Sequence, residues 1–309
     1  MIALLTRSHF TLLILLVALQ QVIRVDVALV TVGVRVTDSR GRDVSGLKAK
    51  DFTVFEDGAL RDIAFFSSES QPITLGILVD RSSSMVDGNK LDRAKEAARA
   101  LVAGAHEGSE FFYIEFDEHV NVASEFTSDR RRLASAIERT APGGGTSLYD
   151  AVLQGLLMTD RAQFPRRALV VISDGADQHS RQVLQRVVRV VRESEIQVFT
   201  IGYFSSQEEE LFRTRDRVMR IDGKELDNPR IALERLSKES GGDFFFPRSD
   251  KELAAAVAEI GKDLRTQYTI AFYPRTQDRE TRYRELRVTV PGKGYTVRAR
   301  PGYGTRTLE

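Results

Sequence analysis

Oxygen-bearing side chains collect where three hydrophobic segments of the chain end. The run ILVDRSSSM, residues 77–85, passes from apolar residues into Asp80 and then three serines. Thr146 follows Gly143, Gly144 and Gly145 in GGGTSLYD, and Asp174 comes at the end of ALVVISDG. The hydroxyls of Ser82, Ser84 and Thr146 are neutral oxygen donors. The carboxylates of Asp80 and Asp174 can bind a cation directly or orient the waters on it. Mg2+ takes about six oxygens at ~2.0–2.1 Å and keeps several waters. A shell dominated by hydroxyls leaves the ion's charge poorly quenched at its open position, so the ion attracts an acidic oxygen from a partner without any catalysis. The three glycines let the backbone bring Thr146 close. On its own ILVDRSSSM also reads as a polar turn with a helix cap; Thr146 and Asp174 at matching strand ends favour metal binding. In this reading Ser83 is a bystander and Arg81 points to solvent.

The elements that position these residues follow from periodicity. ITLGILVD and RALVVISDG are continuous apolar runs, as expected of strands buried on both faces, and EFFYIEF and IQVFTIGYF are further strands. Between them KLDRAKEAARALVAGA, SDRRRLASAIERT, SLYDAVLQGLLMTD and SRQVLQRVVRVVRESE read as helices. A further helix opens at Pro229 and stops at Gly241-Gly242; the last is capped by Ser249 or Asp250. The fold class expected is α/β: a doubly wound, mostly parallel sheet in which ligands bind at the carboxyl ends of the strands. DFFFPRS reads as a strand with Phe244, Phe245 and Phe246 in alternating core packing. The charged stretch 205–227 reads as a surface excursion.

The flanks differ. VDVALVTVGVRVTD alternates valines, DFTVFEDGALRDIAFF gives two short strands around Asp57-Gly58, and three strand-like segments follow Gln267. About six strands with two faces can bury a core where three would struggle, so both ends are expected to pair into one small all-β sandwich. The domains expected are a leader at 1–21, the sandwich's first part at 22–70, the α/β domain at 71–265 and the sandwich's second part at 266–309. The leader carries Arg7 and an apolar run from Phe10 to Leu19, the length of a signal-peptide core; it is a signal peptide or an uncleaved anchor. The location expected is therefore periplasmic, cell-surface or secreted.

The 309 residues hold 45 Lys and Arg against 44 Asp and Glu, a formal net charge of +1, which gives no electrostatic case for nucleic acid. Arg130, Arg131 and Arg132 read as solvated helix surface. There is no cysteine, which excludes disulfides, thiolate catalysis and Cys-based zinc sites.

The set Asp80-x-Ser82-x-Ser84, Thr146 and Asp174, with SMVDGNKLDRAKEAA and TSLYDA around it, resembles the von Willebrand factor type A domain over roughly 72–265. The resemblance implies a metal-ion-dependent adhesion site. Ser82, Ser84 and Thr146 would coordinate Mg2+ or Mn2+ (or Ca2+), with Asp80 and Asp174 binding directly or through water. A partner protein's Asp or Glu carboxylate would complete the shell, with no nucleic acid and no small-molecule substrate. The flanks are similar to a secreted bacterial branch of the family named for Acidobacteria. The expected role is metal-dependent protein binding, not catalysis. Two alternatives are a structural envelope module without metal-dependent recognition, and a serine hydrolase built on Ser82, His179 and Asp174. The hydrolase lacks a G-x-S-x-G elbow.

Overall fold

Alternating valines set the first strand, β1 (Val30–Thr37), with Val30, Val32, Val34 and Val36 all buried on one side. The computed structural model describes residues 29–304 except 70, 215, 222, 267, 276–282 and 293. The expected leader, residues 1–21, and the start of the first β segment lie outside them. After β1 come β2 (Thr53–Glu56), β3 (Ala59–Arg61) and β4 (Ile63–Ser67). The central part runs β5 (Thr74–Asp80), α1 (Lys90–Gly104), β6 (Glu110–Phe116), β7 (Val120–Thr127), α2 (Arg130–Glu138), α3 (Leu148–Thr159) and β8 (Arg167–Ser173). It continues with α4 (Leu184–Glu193), β9 (Gln197–Gly202), α5 (Ser206–Phe212), β10 (Val218–Ile221) and β11 (Lys224–Asp227). Next are α6 (Pro229–Ser240), β12 (Phe244–Phe245) and α7 (Asp250–Thr266). The chain then forms β13 (Tyr268–Phe272), β14 (Tyr283–Thr289), β15 (Thr296–Arg298) and β16 (Gly302–Gly304).

Six strands make the central sheet in the order β12-β9-β8-β5-β6-β7. The pairings are parallel except that β7 runs antiparallel to β6 at the edge. Every residue of β5 is buried, and its side chains alternate between two cores. Ile77 and Val79 join Leu101, Leu133 and Ile260 on one face; Leu78 joins Leu156, Val187 and Leu233 on the other. Each such fully buried aliphatic side chain contributes roughly 1.5–3 kcal/mol of transfer free energy. Because β5 has β8 on one side and β6 on the other, the strand order reverses there, and the loops after β5 and β8 diverge around a crevice.

The two ends of the chain share one core. A four-stranded sheet has the order β15-β1-β13-β4 and a second the order β16-β14-β2-β3. Val30 pairs with Phe272 across β1 and β13, and Val54 with Val288 across β2 and β14. Both sheets thus mix strands from before and after the α/β domain, and Val34, Val54, Phe272 and Leu286 meet in the sandwich core. Asp57 and Gly58 turn β2 into β3 with φ of 48° and 77°, as the Asp-Gly pair requires.

Several local expectations need correction. β7 was not anticipated, although Val120, Val122 and Phe126 alternate and pack on the second core. The strand expected in DFFFPRS shrinks to Phe244–Phe245, because only those two residues pair with β9. The excursion 205–227 holds α5, capped by Ser205, and the antiparallel hairpin β10–β11. The sequence segment around Asp57-Gly58 gives three strands instead of two, and the last segment divides into β15 and β16, which lie in different sheets.

Ion pairs join the two domains. Arg35 of β1 lies 2.5 Å from Glu259 and 2.7 Å from Asp263, both on α7. Arg298 of β15 pairs with Asp243 and Asp263. Among the described residues no helix is long and apolar enough to cross a membrane.

Candidate metal site

β5 ends in Asp80 and β8 ends in Ser173, and the strands pair in register up to Val79 and Ile172. Strand pairing therefore sets the two side chains together. The Ser173 hydroxyl donates to Asp80 Oδ2 at 2.6 Å, and the Ser82 amide donates to Oδ1 at 2.8 Å. Ser173 Oγ in turn accepts from the Gly175 amide at 2.8 Å. Beyond Asp80 the chain bends so that the hydroxyl oxygens of Ser82 and Ser84 stand 3.1 Å apart. α1 then begins with Lys90, whose Nζ lies 3.5 Å from Asp174 Oδ2 and 3.0 Å from Glu208 Oε2 of α5. Asp174 Oδ1 is buried without a hydrogen-bond partner.

Thr146 is held by its backbone. Its carbonyl accepts from the amides of Gln178 and His179, each at 3.0 Å, which stitches the glycine loop to the loop after β8. Its amide donates to His179 Nδ1 at 3.4 Å. The other end of the glycine loop is tied to the loop after β5: the amide and hydroxyl of Ser83 both donate to the Gly144 carbonyl, at 3.0 and 2.9 Å. Gly144 has a φ of 70°, and a Cβ there would fall 1.7 Å from Glu118 Oε2, so no other residue fits without displacing that carboxylate.

Burial dominates the electrostatics of the two aspartates. It pushes the Asp80 carboxyl up to about 7, and the charge of Asp174 adds to the effect. Asp174 is also raised by burial, against the opposing pull of Lys90 and the Ser84 hydroxyl. Asp80, Asp174 and Glu208 set against Lys90 sum to −3 + 1 = −2 when ionised. A divalent cation balances that sum. The hydroxyl and carboxylate donors, with the unpartnered Asp174 oxygen, fit a hard, oxygen-bound ion such as Mg2+ or Mn2+.

Residues 75–176 match the model of the von Willebrand factor type A domain family. That segment carries the sequence pattern of a von Willebrand factor type A domain. By fold it is similar to a von Willebrand factor type A protein from Catenulispora acidiphila, at 13% identity and a TM-score of 0.51, covering 82% of this chain and 68% of that one. It is also similar to a variant of the PilB minor pilin from Streptococcus sanguinis, at 13% identity and a TM-score of 0.50, covering 64% of this chain and 62% of that one. In sequence, an uncharacterized protein of Synechocystis sp. is 26% identical over 136 residues, 43% of this chain. The chain spans 32% of the length of that curated relative. These matches concern the domain and not the bacterial branch suggested by its flanks.

Within the von Willebrand domain, the buried Asp80, Ser82, Asp174, Ser173 and Lys90 form one group with the half-buried Ser84, while Thr146 is fixed beside the loop that follows Asp174. Two residues assigned minor parts in the sequence are structural here. Ser83 is no bystander, since it latches the glycine loop. Arg81 does not point to solvent: it lies 2.5 Å from Asp117 and donates to the Ala141 carbonyl at 3.0 Å. Arg131 and Arg132 are exposed on the surface of α2, while the half-buried Arg130 donates to the carbonyls of Ala103, Ala105 and His106. The Ser82–His179–Asp174 chain of a hydrolase does not form among the described contacts: Ser82 pairs with Ser84, and His179 lies over Gly145 with Nδ1 toward the Thr146 amide.

Sequence reasoning missed Ser173, Lys90 and Glu208. Ser173 was within reach, as the neighbour of Asp174 at a strand end. Glu208 sits in the charged excursion, where nothing in the sequence singles it out. Asp117, Glu118 and His119 also offer ligand atoms within 4.8 Å of one another, but Asp117 pairs with Arg81 and Glu118 accepts from the Gly145 amide, so they brace the loops.

Proposed function

We propose that the domain binds a partner protein through a divalent cation, Mg2+ or Mn2+ (or Ca2+). Ser82, Ser84 and Thr146 act as hydroxyl ligands, and Asp80 and Asp174 bind directly or through water. The open position takes an Asp or Glu carboxylate of the partner, because neutral hydroxyls leave the ion electron-poor. The observation that carries this reading is Asp174 Oδ1, buried without a hydrogen-bond partner in a cluster that also holds Asp80, Lys90 and the paired hydroxyls of Ser82 and Ser84. Ser173 supports it by holding Asp80, and the Ser83 latch supports it by fixing the glycine loop. The role is recognition without catalysis. The apolar run Phe10 to Leu19 supports a periplasmic, cell-surface or secreted location.

Pull-down of envelope or secreted proteins by the wild-type chain, with and without chelator, tests the reading. Recovery that depends on added Mn2+ and is lost in Ser84→Ala is expected. Equal recovery with and without the metal would remove the ion from recognition.

A further inference from the structure

The opposite pole of the von Willebrand domain carries an excess of the other sign. A cavity of about 30 Å³ lies at the amino ends of β8 and β9, where the domain meets β1 and the segment between β15 and β16. Its walls include Thr31, Arg166, Arg167, Glu195, Leu264 and Arg300. Three guanidinium groups and one carboxylate therefore stand among the wall residues, a sum of +3 − 1 = +2 over those side chains.

Arg300 is the telling residue. It is only 4% exposed. Nη2 donates to the Thr31 carbonyl at 3.1 Å and to Glu195 Oε1 at 3.3 Å, while Nε and Nη1 are buried and make no hydrogen bond. Arg166 is 9% exposed and donates to the carbonyls of Gln71 at 3.4 Å and Leu264 at 3.0 Å. Burial draws its guanidinium down to about 10. Arg167 donates to the Phe164 carbonyl at 3.3 Å. Glu195 is the only acid among the wall residues, and its side chain is 45% exposed, so it neutralises the site incompletely. Buried guanidinium groups are otherwise matched by carboxylates or phosphates, whose paired oxygens suit the guanidinium donors.

We propose that this junction binds a small oxyanion presenting two oxygens, a carboxylate or a phosphate group. The volume corresponds to about two water positions, room for the two oxygens of a carboxylate. The anion takes the unengaged donors of Arg300 and displaces Glu195 toward solvent. Because the walls come from both domains, an occupied site fastens the β module to the von Willebrand domain.

The test uses the full chain, stripped of divalent ions, dialysed free of chelator and held at constant ionic strength in chloride. Formate, acetate and inorganic phosphate are titrated separately by calorimetry. Saturable binding of at least one of them, one ion per chain, is expected. Glu195→Gln removes the competing charge and tightens binding several-fold. Arg300→Leu weakens it at least tenfold, and Arg132→Gln on the exposed face of α2 leaves it unchanged. Binding of formate and acetate alone identifies a carboxylate site, whereas equal or tighter phosphate binding identifies a tetrahedral one. Should Arg300→Leu fail to fold, the wild-type and Glu195→Gln titrations decide the matter. No saturable heat with any of the three anions, or no tightening in Glu195→Gln, overturns the proposal. Metal binding at the other pole is read independently, since no divalent ion is present in this assay.

Discussion

The two ends of the central sheet are electrostatic opposites built by the same strands. At the carboxyl ends of β5 and β8, Asp80, Asp174 and Glu208 outweigh Lys90; at the amino ends of β8 and β9, Arg166, Arg167 and Arg300 outweigh Glu195. A formal net charge of +1 conceals both. Buried charge that its neighbours do not offset is expensive, and a protein tolerates it where a ligand of the opposite sign completes the site. The poles differ in how they are assembled. The acidic pole draws its oxygens from short loops directly after strands, whereas the basic pole draws single residues from β1, from the residues around the starts of β8 and β9, from α7 and from the segment between β15 and β16.

Substitutions can break this contrast, and the acidic pole gives the largest expected effect. Asp80→Asn keeps the shape and the Ser82 amide contact but removes the charge. It is expected to weaken Mn2+ binding by about 100-fold or more, since even residues that only orient ligands cost 10–100-fold. The same variant relieves the repulsion with Asp174, so at pH 8 without metal it melts at or above the wild-type temperature. Loss of stability together with loss of binding would mean that Asp80 is structural. Ser173→Ala, which removes the bond to Asp80 and the acceptor for the Gly175 amide, should weaken Mn2+ binding by about 10–100-fold with the stoichiometry unchanged.

Loop geometry comes next. Gly144→Ala forces a Cβ into the Glu118 carboxylate at a left-handed φ, and denaturant unfolding should show a loss of about 1–3 kcal/mol. Arg298→Leu at the domain junction leaves Asp263 buried with Arg35 as its remaining partner, and a cost of about 1–3 kcal/mol is expected in the same assay. The smallest effect is a pH slope. Burial raises the Asp177 carboxyl to about 6, above its unfolded value of about 4, despite the Ser180 hydroxyl and backbone amides that favour the charged form. The folded chain therefore holds the Asp177 proton across that interval when the unfolded chain does not. Its contribution lowers stability as pH rises from about 4 to about 6 and is constant above. Asp80 and Asp174, raised in the same direction, slope stability the same way, so melting series should show Asp177→Asn making the decline between about pH 4 and 6 shallower without abolishing it.

The acidic pole was legible in the sequence because strand ends, glycines and hydroxyls fall close together in ILVDRSSSM and GGGTSLYD. The α/β architecture was legible for the same kind of reason: continuous apolar strands and periodic helices are local patterns. The sandwich required one non-local inference, that six short strands need a common core, and Val30 against Phe272 shows how that core closes. The basic pole was invisible because Thr31, Arg166, Glu195 and Arg300 come from distant parts of the chain and none sits in a motif. Lys90 was missed and Ser83 misjudged for a different reason. A lysine at a helix start and a serine between two ligands both have ordinary solvent-facing readings, and only the packing of α5 and the glycine loop gives them partners.

Calorimetric titration of the metal-stripped wild-type chain with Mg2+ and with Mn2+ tests the central claim most directly. One ion bound per chain by the wild type, with binding lost in Asp80→Asn, is the expected result; a wild-type chain that takes up neither ion would contradict it.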